Sequence, residues 1–440
     1  MQSGKTNWEL KIHIIHIITK GVGITSASPI ICIIRIHNYQ YSQFAFPAVC
    51  LIPTKCLYFL MASASSNPRV AIVHEWFTSM RGGEKCVEAL CEVFPDATLF
   101  ALVHAQGSVS NVIERMPIRT SFIQNLPGGV ENYRHYLPLF PSAVQRFDMS
   151  GFDIVISSNH CVAKGVRTGA STLHVCYCYT PMRYIWGQYD EYFGRGRAGL
   201  LTRAAMRSVR GYLRRWDVKT AVNPHRFIGI SENVRCRIRD IYHRESDLIY
   251  PPVDTSSLVL SRKDDGYYLM VSALVPYKRV DLAVEAFNRL GDRLVIVGDG
   301  PESARLKKLA SPNVELAGWL PDSSVRQLYA GCSAVIFPGE EDFGIVPVEA
   351  IACGKPVVAF ARGGALETVL DAPNFSTGVL FREQTVDALV DAVVSCRKRA
   401  FDPEALRRFA LGFDREIYKT RMKEYVLHHW NLFRGTLPQA

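Results

Sequence analysis

Hydrophobic runs long enough to cross a membrane as a helix are lacking from this sequence. The apolar stretches near the amino terminus, Ile12–Ile18, Ile30–Ile36 and Val49–Met61, are each interrupted by histidine, arginine or lysine. A spanning helix requires about 18 to 20 consecutive apolar residues, so these stretches predict no membrane span. None of them is closed by a small-residue cleavage site, which argues against a secretory signal peptide.

The sequence also lacks the signatures of several other protein classes. It has no zinc-finger spacing, basic zipper or aromatic RNA-binding motif, so we expect no nucleic-acid partner. No G-x-G-x-x-G with an acidic residue about 20 positions later follows a first strand, which argues against a dinucleotide-dependent oxidoreductase. The 12 cysteines are scattered, with Cys176 and Cys178 in an apolar strand and Cys86 and Cys91 on a helix face. This distribution is typical of reduced, buried thiols in a cytosolic protein and predicts no zinc site.

Length and composition are those of a soluble protein with two domains. The chain has 440 residues, of which 48% are hydrophobic and 21% charged. Because domains usually contain about 100–200 residues, two are expected. The net charge of +10 favours an acidic partner, such as a phosphorylated substrate or an anionic membrane surface.

Residues 1–68 are predicted to be an extension of the folded protein. They show no sustained helical or strand period, so we expect them to be disordered or to precede a functional start at Met61. Five basic residues against one acidic residue in the first 60 positions leave an organelle-targeting segment as the alternative. Otherwise the expected location is the cytoplasm, with peripheral attachment to a membrane surface as a variant of it.

From Arg69 onward, short apolar strands alternate with helices in two series, separated by the prolines of Tyr250–Asp254. The predicted strands are Val70–Val73, Ile154–Ile156, Leu173–Tyr177 and Phe227–Ile230, then Tyr268–Val271, Leu294–Val297, Val314–Leu316, Ala334–Phe337 and Val357–Phe360. Continuous apolar strands alternating with helices are typical of parallel, doubly wound sheets. The pattern predicts an α/β fold with domains at 69–252 and 253–415, and a helix at 416–440 that crosses back to the first domain.

The segment Glu341–Ala350 leaves the carboxyl edge of the second predicted sheet, because it directly follows the strand Ala334–Phe337. Ligands of open α/β sheets bind at this edge. Phe343-Gly344 forms a predicted turn, and the helix after it presents free N–H groups and the positive end of its dipole. Glu341 before the helix and Glu349 within it would flank this anion site. The arrangement suits a ligand in which a sugar, a diphosphate and a ribose lie end to end.

The spacing of the two glutamates resembles the E-x₇-E motif of retaining glycosyltransferases, and the flanking Ala350–Val357 fits glycosyltransferase family 4. Further matches lie between about Arg69 and His428. They are Gly82-Gly83, Ser157–His160, Tyr179–Tyr184, Ile249–Asp254 and Val275–Arg279. The resemblance implies the GT-B fold, in which two Rossmann-like domains face each other. It also implies a nucleotide-sugar donor on the C-terminal domain and an acceptor mainly on the other.

The resemblance assigns roles to residues around the donor. Glu341 would bind the hydroxyl groups of the donor sugar and Glu349 the ribose, while Lys278 would neutralise the diphosphate as its leaving charge develops. The remaining donor contacts would come from Arg279, Phe343, Gly344, Ile345 and Val346. The alternative for Lys278 is a solvated side chain at a helix start, although two cations there oppose the helix dipole unless an anion binds. Because the chain contains no D-x-D, we expect donor binding without a metal or other cofactor.

Near the first strands, the resemblance singles out a glycine pair and a histidine. Gly82 and Gly83 correspond to a loop that lets the backbone approach the diphosphate or the acceptor, and a simple turn before a helix is the alternative. His160 follows a predicted strand at the cleft and would contact the donor sugar near the reacting carbon, with a helix cap as its alternative. His74 and His174 are expected to be structural.

A basic helix is predicted between Gly194 and Val222. One face carries Arg203, Arg207, Arg210 and Arg214, and the other carries Leu201, Ala205, Val209, Tyr212 and Trp216. The helix would either pack on its own domain or lie on an anionic membrane surface, where it would give access to a lipid-linked acceptor.

The sequence therefore predicts a retaining hexosyltransferase. By resemblance to bacterial mannosyltransferases of polysaccharide synthesis, the expected donor is GDP-mannose and the acceptor is a glycan or a lipid-linked molecule. A UDP-sugar donor is the alternative among enzymes. A non-catalytic sugar-nucleotide-binding or scaffolding protein is the alternative from another class. It is left open by Ala273, which stands where the family commonly has an arginine, so that Arg279 would have to replace that contact.

Overall fold

The computed structural model describes residues 67–183, 185–187 and 200–437, apart from the side chains of residues 200–208. The predictions for residues 1–66, including the start at Met61, lie outside the described residues. No helix within the described ranges is both long and apolar enough to span a bilayer.

The first half of the described chain forms a parallel sheet. Its strands are β1 (Val70–Val73), β2 (Trp76–Phe77), β3 (Thr98–Ala101), β4 (Val103–His104), β5 (Ile118–Thr120), β6 (Ile154–Asn159), β7 (Leu173–Cys178), β8 (Arg226–Gly229) and β9 (Asp247–Leu248). Seven of them lie in the order β5-β3-β1-β6-β7-β8-β9, and β2 pairs with β4. The winding direction reverses between β1 and β6, which pair in parallel with each other. Such a switch point opens a crevice at the carboxyl ends of the two strands.

The second half repeats this plan. Its strands are β10 (Tyr267–Val271), β11 (Arg293–Val297), β12 (Val314–Gly318), β13 (Ala334–Phe337), β14 (Val357–Phe360), β15 (Asp371–Ala372), β16 (Phe375–Ser376) and β17 (Gly378–Phe381). Six of them form a parallel sheet in the order β12-β11-β10-β13-β14-β17, while β15 and β16 form an antiparallel pair. The switch point of this sheet lies between β10 and β13.

Helices alternate with the strands along the chain, and three of them follow the last strand. They are α1 (Gly82–Val93), α2 (Asn111–Glu114), α3 (Phe140–Val144), α4 (Leu200–Lys219), α5 (Glu232–Tyr242), α6 (Val280–Leu290), α7 (Ser303–Leu309), α8 (Asp322–Gly331), α9 (Ile345–Ala352), α10 (Ala365–Thr368), α11 (Val386–Arg397), α12 (Pro403–Ala410) and α13 (Arg415–Thr436). Every residue of β1, β6, β7, β13 and β14 is buried, as expected for strands covered on both faces. The predicted α/β fold with two doubly wound parallel sheets is confirmed.

The described cysteines behave as the sequence predicts. All of them are free, and all except Cys236 are buried. Cys176 and Cys178 lie in β7, and Cys86 and Cys91 lie in α1. Burial raises the pKa of the Cys86 and Cys91 thiols to about 12, so both stay protonated at neutral pH.

The final helix α13 packs against the first half of the chain. The Arg415 guanidinium lies 3.1 Å from a Glu88 carboxylate oxygen and 2.8 Å from one of Glu92, both in α1. The buried ring of Tyr418 meets the ring of Tyr177 in β7 edge-on, with 5.5 Å between centroids. These contacts bring the carboxyl-terminal helix onto the first sheet.

The buried and exposed side chains of the basic helix α4 do not follow the two predicted faces. Its buried side chains include Leu213, Trp216 and Asp217, whereas Tyr212, predicted on the apolar face, is 42% exposed. The Nε–H groups of Arg210 and Arg214 both donate to the main-chain oxygen of Ile185, at 3.2 and 2.7 Å. Arg203 and Arg207 have side chains outside the described residues. Part of the basic face of the helix is thus hydrogen-bonded to its own half of the chain.

Candidate active site

The switch point of the second sheet brings Lys278 and Glu341 together. Lys278 ends a short 3₁₀ turn after β10, and Glu341 lies in the loop after β13. The Lys278 ammonium donates a hydrogen bond to the Glu341 carboxylate, and both side chains are largely but not fully buried. Gly339 allows this approach, because a Cβ there would lie 2.9 Å from the main-chain oxygen of Tyr277. The structure thus does not show the solvated side chain that was the alternative for Lys278, whose predicted role at the diphosphate stays a prediction.

The loop after β13 continues into α9 through a sharp turn. Gly344 has φ = 91°, a left-handed conformation that side chains rarely adopt, and it is the N-cap of the helix. The Phe343 side chain is buried against Tyr250 and Phe413, so only its backbone is near the helix terminus. Ile345 and Val346, which begin the helix, are partly exposed. The first N–H groups of α9 have no partner within the helix, as at any helix amino terminus.

Glu349 lies in α9 one turn after this terminus. Its Oε2 accepts a hydrogen bond of 2.9 Å from the hydroxyl of Tyr329, which is buried. Burial raises the pKa of the Glu349 carboxyl. The structure therefore places the two glutamates of the motif on either side of the α9 terminus, Glu341 beside a cation and Glu349 beside a phenol.

Arg279 is already engaged within its own half of the chain. It has φ = 53° and serves as the N-cap of α6. Its Nε lies 3.4 Å from Oδ1 of Asp281, and its Nη1 donates to Oε1 of Gln384 at 3.2 Å. Ala273, in the loop before it, is exposed. Arg279, the predicted substitute for an arginine at position 273, is thus held by Asp281 and Gln384 through two of its five N–H groups.

Asp342, the residue after Glu341, connects the two halves of the chain, and no role was predicted for it. Arg183 donates to its carboxylate through Nε at 2.8 Å and also through Nη2, and Arg237 donates through Nη1 at 2.7 Å. The Ser231 hydroxyl donates to the main-chain oxygen of Asp342 at 2.5 Å. Burial opposes the charge of Arg183, but Asp342 beside it raises the pKa of the guanidinium. The carboxylate is thus held by two cations from the first half.

The glycine pair begins helix α1 and faces the second half of the chain. A Cβ on Gly82 would lie 3.2 Å from Cδ1 of Ile345, the first residue of α9. A Cβ on Gly83 would lie 3.4 Å from Cε1 of His74. The absence of a side chain at Gly82 therefore lets the start of α1 approach the start of α9, while the predicted approach of this backbone to the diphosphate or the acceptor stays a prediction.

A chain of hydrogen bonds holds Gly83 in place. His74 Nδ1 is 3.0 Å from Ser158 Oγ, Ser158 Oγ is 2.8 Å from Tyr179 Oη, and Tyr179 donates to the Gly83 carbonyl at 3.1 Å. Because that carbonyl can only accept, the donors run from His74 through Ser158 and Tyr179. Burial disfavours charge on His74, yet Glu84 and Glu75 raise its pKa. His74 and His174 are both buried, and His174 bonds to Ser157, while their structural role stays a prediction.

His160 lies directly after β6, at the switch point of the first sheet. Its Nδ1 is 3.0 Å from Oε2 of Glu75, which follows β1 and is completely buried. The Trp76 ring meets the His160 ring edge-on, with 4.7 Å between centroids. Burial opposes ionisation of Glu75, but His160, His74 and the N–H of Cys161 lower its pKa to about 2. His160 was predicted from the sequence, whereas Glu75 was missed.

Comparison with known proteins identifies relatives of the second half. The family described as glycosyl transferases group 1 matches residues 257–408. A GDP-mannose-dependent alpha-(1-6)-phosphatidylinositol monomannoside mannosyltransferase of Mycolicibacterium smegmatis is 32% identical over 170 residues, which cover 34% of this chain and 44% of the relative. An uncharacterized glycosyltransferase of Methanocaldococcus jannaschii is 29% identical over 157 residues, again 34% and 44%. The chain thus spans less than half the length of the curated relatives it matches.

Solved structures resemble nearly all of the described chain. HepE of Anabaena in complex with UDP and glucose has a TM-score of 0.60 at 18% identity, covering 82% of this chain and 100% of that one. WaaG, a glycosyltransferase involved in lipopolysaccharide biosynthesis, has a TM-score of 0.58 at 17% identity, covering 81% and 99%. The fold is GT-B. At these identities the likeness establishes the fold alone, and the predicted roles of the site residues remain predictions.

Proposed function

We propose that this GT-B chain is a retaining glycosyltransferase of family 4 that transfers a hexose from a nucleotide sugar to a glycan or lipid-linked acceptor. The observation that carries the proposal is the Lys278–Glu341 pair at the second switch point, beside the amino terminus of α9 and close to Gly82 of the other half. A cation, a carboxylate and a helix dipole at one edge supply separate contacts for a diphosphate and a sugar.

In this proposal the donor exchanges partners with the ion pair. In the structure, Lys278 and Glu341 neutralise each other. A diphosphate at the terminus of α9 would attract Lys278, and Glu341 would then accept hydrogen bonds from the sugar hydroxyls. As the bond to the sugar breaks, negative charge grows on the leaving diphosphate, where Lys278 and the α9 N–H groups stabilise it without reorganising. Glu349 would accept from the ribose, and neither step uses a metal.

The donor is the finer part of the proposal. GDP-mannose is favoured by two relatives whose names specify it, the enzyme of M. smegmatis and one of Corynebacterium glutamicum that is 33% identical over 157 residues. A UDP-sugar is the alternative and is supported by the HepE complex with UDP and glucose. Thermal-shift titration with GDP-mannose, UDP-glucose and UDP-GlcNAc, followed by transfer assays with the stabilising donor, separates these cases. Stabilisation by none of them would contradict the proposal.

A non-catalytic relative is the alternative from another class. Arg279, the predicted substitute for the arginine absent at Ala273, is bound to Asp281 and Gln384. A sugar-nucleotide-binding or scaffolding protein would bind the donor without releasing nucleoside diphosphate. Measuring that release with and without candidate acceptors decides between the two functions, because slow donor hydrolysis is expected only of an enzyme.

A further inference from the structure

The end of β1 carries a carboxylate that the proposed reaction leaves without a role. Glu75 is completely buried and ionised, since its pKa is lowered to about 2. An ionised carboxylate is costly to bury unless hydrogen-bond donors surround it. The residues that meet this carboxylate therefore indicate why it is there.

The two oxygens of Glu75 have different partners. Oε1 accepts from the main-chain N–H groups of His160, Cys161 and Ala163, at 3.0, 2.8 and 3.2 Å. These bonds order the loop that follows β6, which is a structural task. Oε2 takes no part in them and instead lies 3.0 Å from Nδ1 of the His160 ring. A carboxylate placed only to order the loop would not require this second contact.

The His160 ring is confined on several sides but is not enclosed. Trp76 meets it edge-on at 4.7 Å, and the Tyr179 ring lies 6.3 Å away between centroids. Its side chain remains 25% exposed. This contact is not aligned as a hydrogen bond in the structure, but a carboxylate oxygen 3.0 Å from a ring nitrogen attracts that nitrogen only when it carries a proton. The other ring nitrogen, Nε2, then has a free lone pair on the far side of the ring when the imidazole is neutral.

We propose that Glu75 is a positioning residue that holds His160 in the tautomer protonated at Nδ1, so that Nε2 accepts a hydrogen bond from a hydroxyl of the donor hexose. This inference rests on the proposed function. Of the two residues at the first switch point, only His160 would touch the substrate, and Glu75 would act through it. Partners that orient a metal-bound histidine from behind usually affect activity by about 10- to 100-fold, and we expect the same order for the orientation of His160.

Glu75→Gln separates the two tasks of the carboxylate. The amide oxygen can still accept from the loop N–H groups, while the amide NH₂ faces Nδ1 and favours the opposite tautomer. The variant should fold, with a lower melting temperature, and should bind the nucleoside diphosphate with unchanged affinity. Its kcat should fall about 10- to 100-fold, whereas a purely structural role would lower the melting temperature without this loss.

A double-mutant cycle tests whether Glu75 acts through His160. Adding Glu75→Gln to His160→Ala should lower kcat by less than two-fold, because the ring to be positioned is gone. Glu114→Gln is the matched control, since Glu114 also pairs with a histidine ring, 3.1 Å from Nε2 of His104, and accepts a main-chain N–H. It should leave kcat within two-fold. Full additivity of Glu75→Gln and His160→Ala would overturn the proposal.

The tautomer can be read directly by two-bond ¹H–¹⁵N correlation spectra of histidine-labelled protein at pH 8, assigned with His160→Ala. A His160 ring protonated at Nδ1 alone supports the inference, and a ring protonated at Nε2, alone or together with Nδ1, overturns it. This measurement needs no donor. Wild-type protein that transfers no sugar would contradict the proposed function, and the ring nitrogens would still decide the role of Glu75.

Discussion

The two switch points of the molecule each carry a carboxylate beside a basic side chain, but they differ in burial. At the second, Lys278 and Glu341 are 15% and 20% exposed. At the first, His160 is 25% exposed whereas Glu75 is fully buried. Ions that keep some contact with water can exchange partners at modest cost, while a buried carboxylate is expensive to separate from its donors. The second pair is therefore suited to bind and release a ligand, and the first to keep one geometry throughout.

A residue next to the second pair shows the same contrast. Asp342, beside the exchangeable Glu341, is fixed by Arg183 and Arg237 of the other half. The Lys278–Glu341 contact, which the proposed function makes exchangeable, thus lies directly next to the fixed carboxylate of Asp342. We infer that the arginines limit how far Glu341 can move when Lys278 leaves it.

The largest effect is expected from breaking the exchangeable pair. Glu341→Gln and Lys278→Ala should each lower kcat by about 10²-fold or more, as for other single electrostatic contacts with a transition state. Both variants should melt near the wild-type temperature, because neither side chain is a core residue. Steady-state kinetics with the identified donor, together with melting curves, provide the test. Near-wild-type transfer by either variant would remove that residue from the mechanism.

For the free energy of unfolding we expect the reverse order, so that substitution of Glu75 destabilises the protein more than substitution of Glu341. The pKa of about 2 for Glu75 in the folded chain, against 4.5 as the reference value, corresponds to about 3 kcal/mol of stability, to order of magnitude. Because the folded pKa is the lower one, this contribution is present above pH 4.5 and is lost as the pH falls toward 2. Denaturant unfolding of wild type and Glu75→Gln should therefore converge over that window. The exposed Glu131→Gln is the control and should parallel wild type at every pH.

The sequence predicts those strands and site residues whose pattern lies within one short segment. Glu341 and Glu349 were found because both belong to one short segment that follows an apolar strand. Four strands of the two large parallel sheets were not predicted. Two of them, β3 and β17, are apolar but short. The other two, β5 and β9, contain only three and two residues. Short edge strands have too few residues to establish a period.

The missed site residues have a different cause. Asp342 pairs with Arg183 and Arg237, which are 159 and 105 positions away, and Glu75 reaches a loop 85 positions later. No periodicity encodes such pairs, since they depend on how two sheets meet. One signal was available for Glu75, because a charged residue two positions after the first buried strand lies near a sheet's carboxyl edge. His160 was placed there by the same reasoning.

A smaller effect is expected from loosening the connection between the halves. Asp342→Asn keeps the shape of the side chain but removes the carboxylate charge from Arg183 and from Arg237, which keeps Glu340 at 3.4 Å. Both arginines retain some contact with water, so we expect a loss of about 1–3 kcal/mol in unfolding free energy, below the range for fully buried pairs. The kcat should fall about 10-fold, because Glu341 loses its fixed neighbour. Unchanged kcat with lowered stability would show that Asp342 holds the halves together without positioning Glu341.

The smallest effect concerns the closest approach of the two switch points. Gly82→Ala adds a Cβ 3.2 Å from Cδ1 of Ile345, and that methyl group can move by a few tenths of an ångström. Alanine also favours the first turn of α1, so the melting temperature should hold or rise slightly. We expect the donor KM to rise only about two- to three-fold, less than typical overpacking, because the clash is with the end of a flexible side chain. Gly82→Phe cannot be accommodated by such a shift and should raise KM about 10-fold more than alanine. If phenylalanine is tolerated as well as alanine, the two switch points do not meet this closely during turnover, and Gly82 belongs to a simple turn.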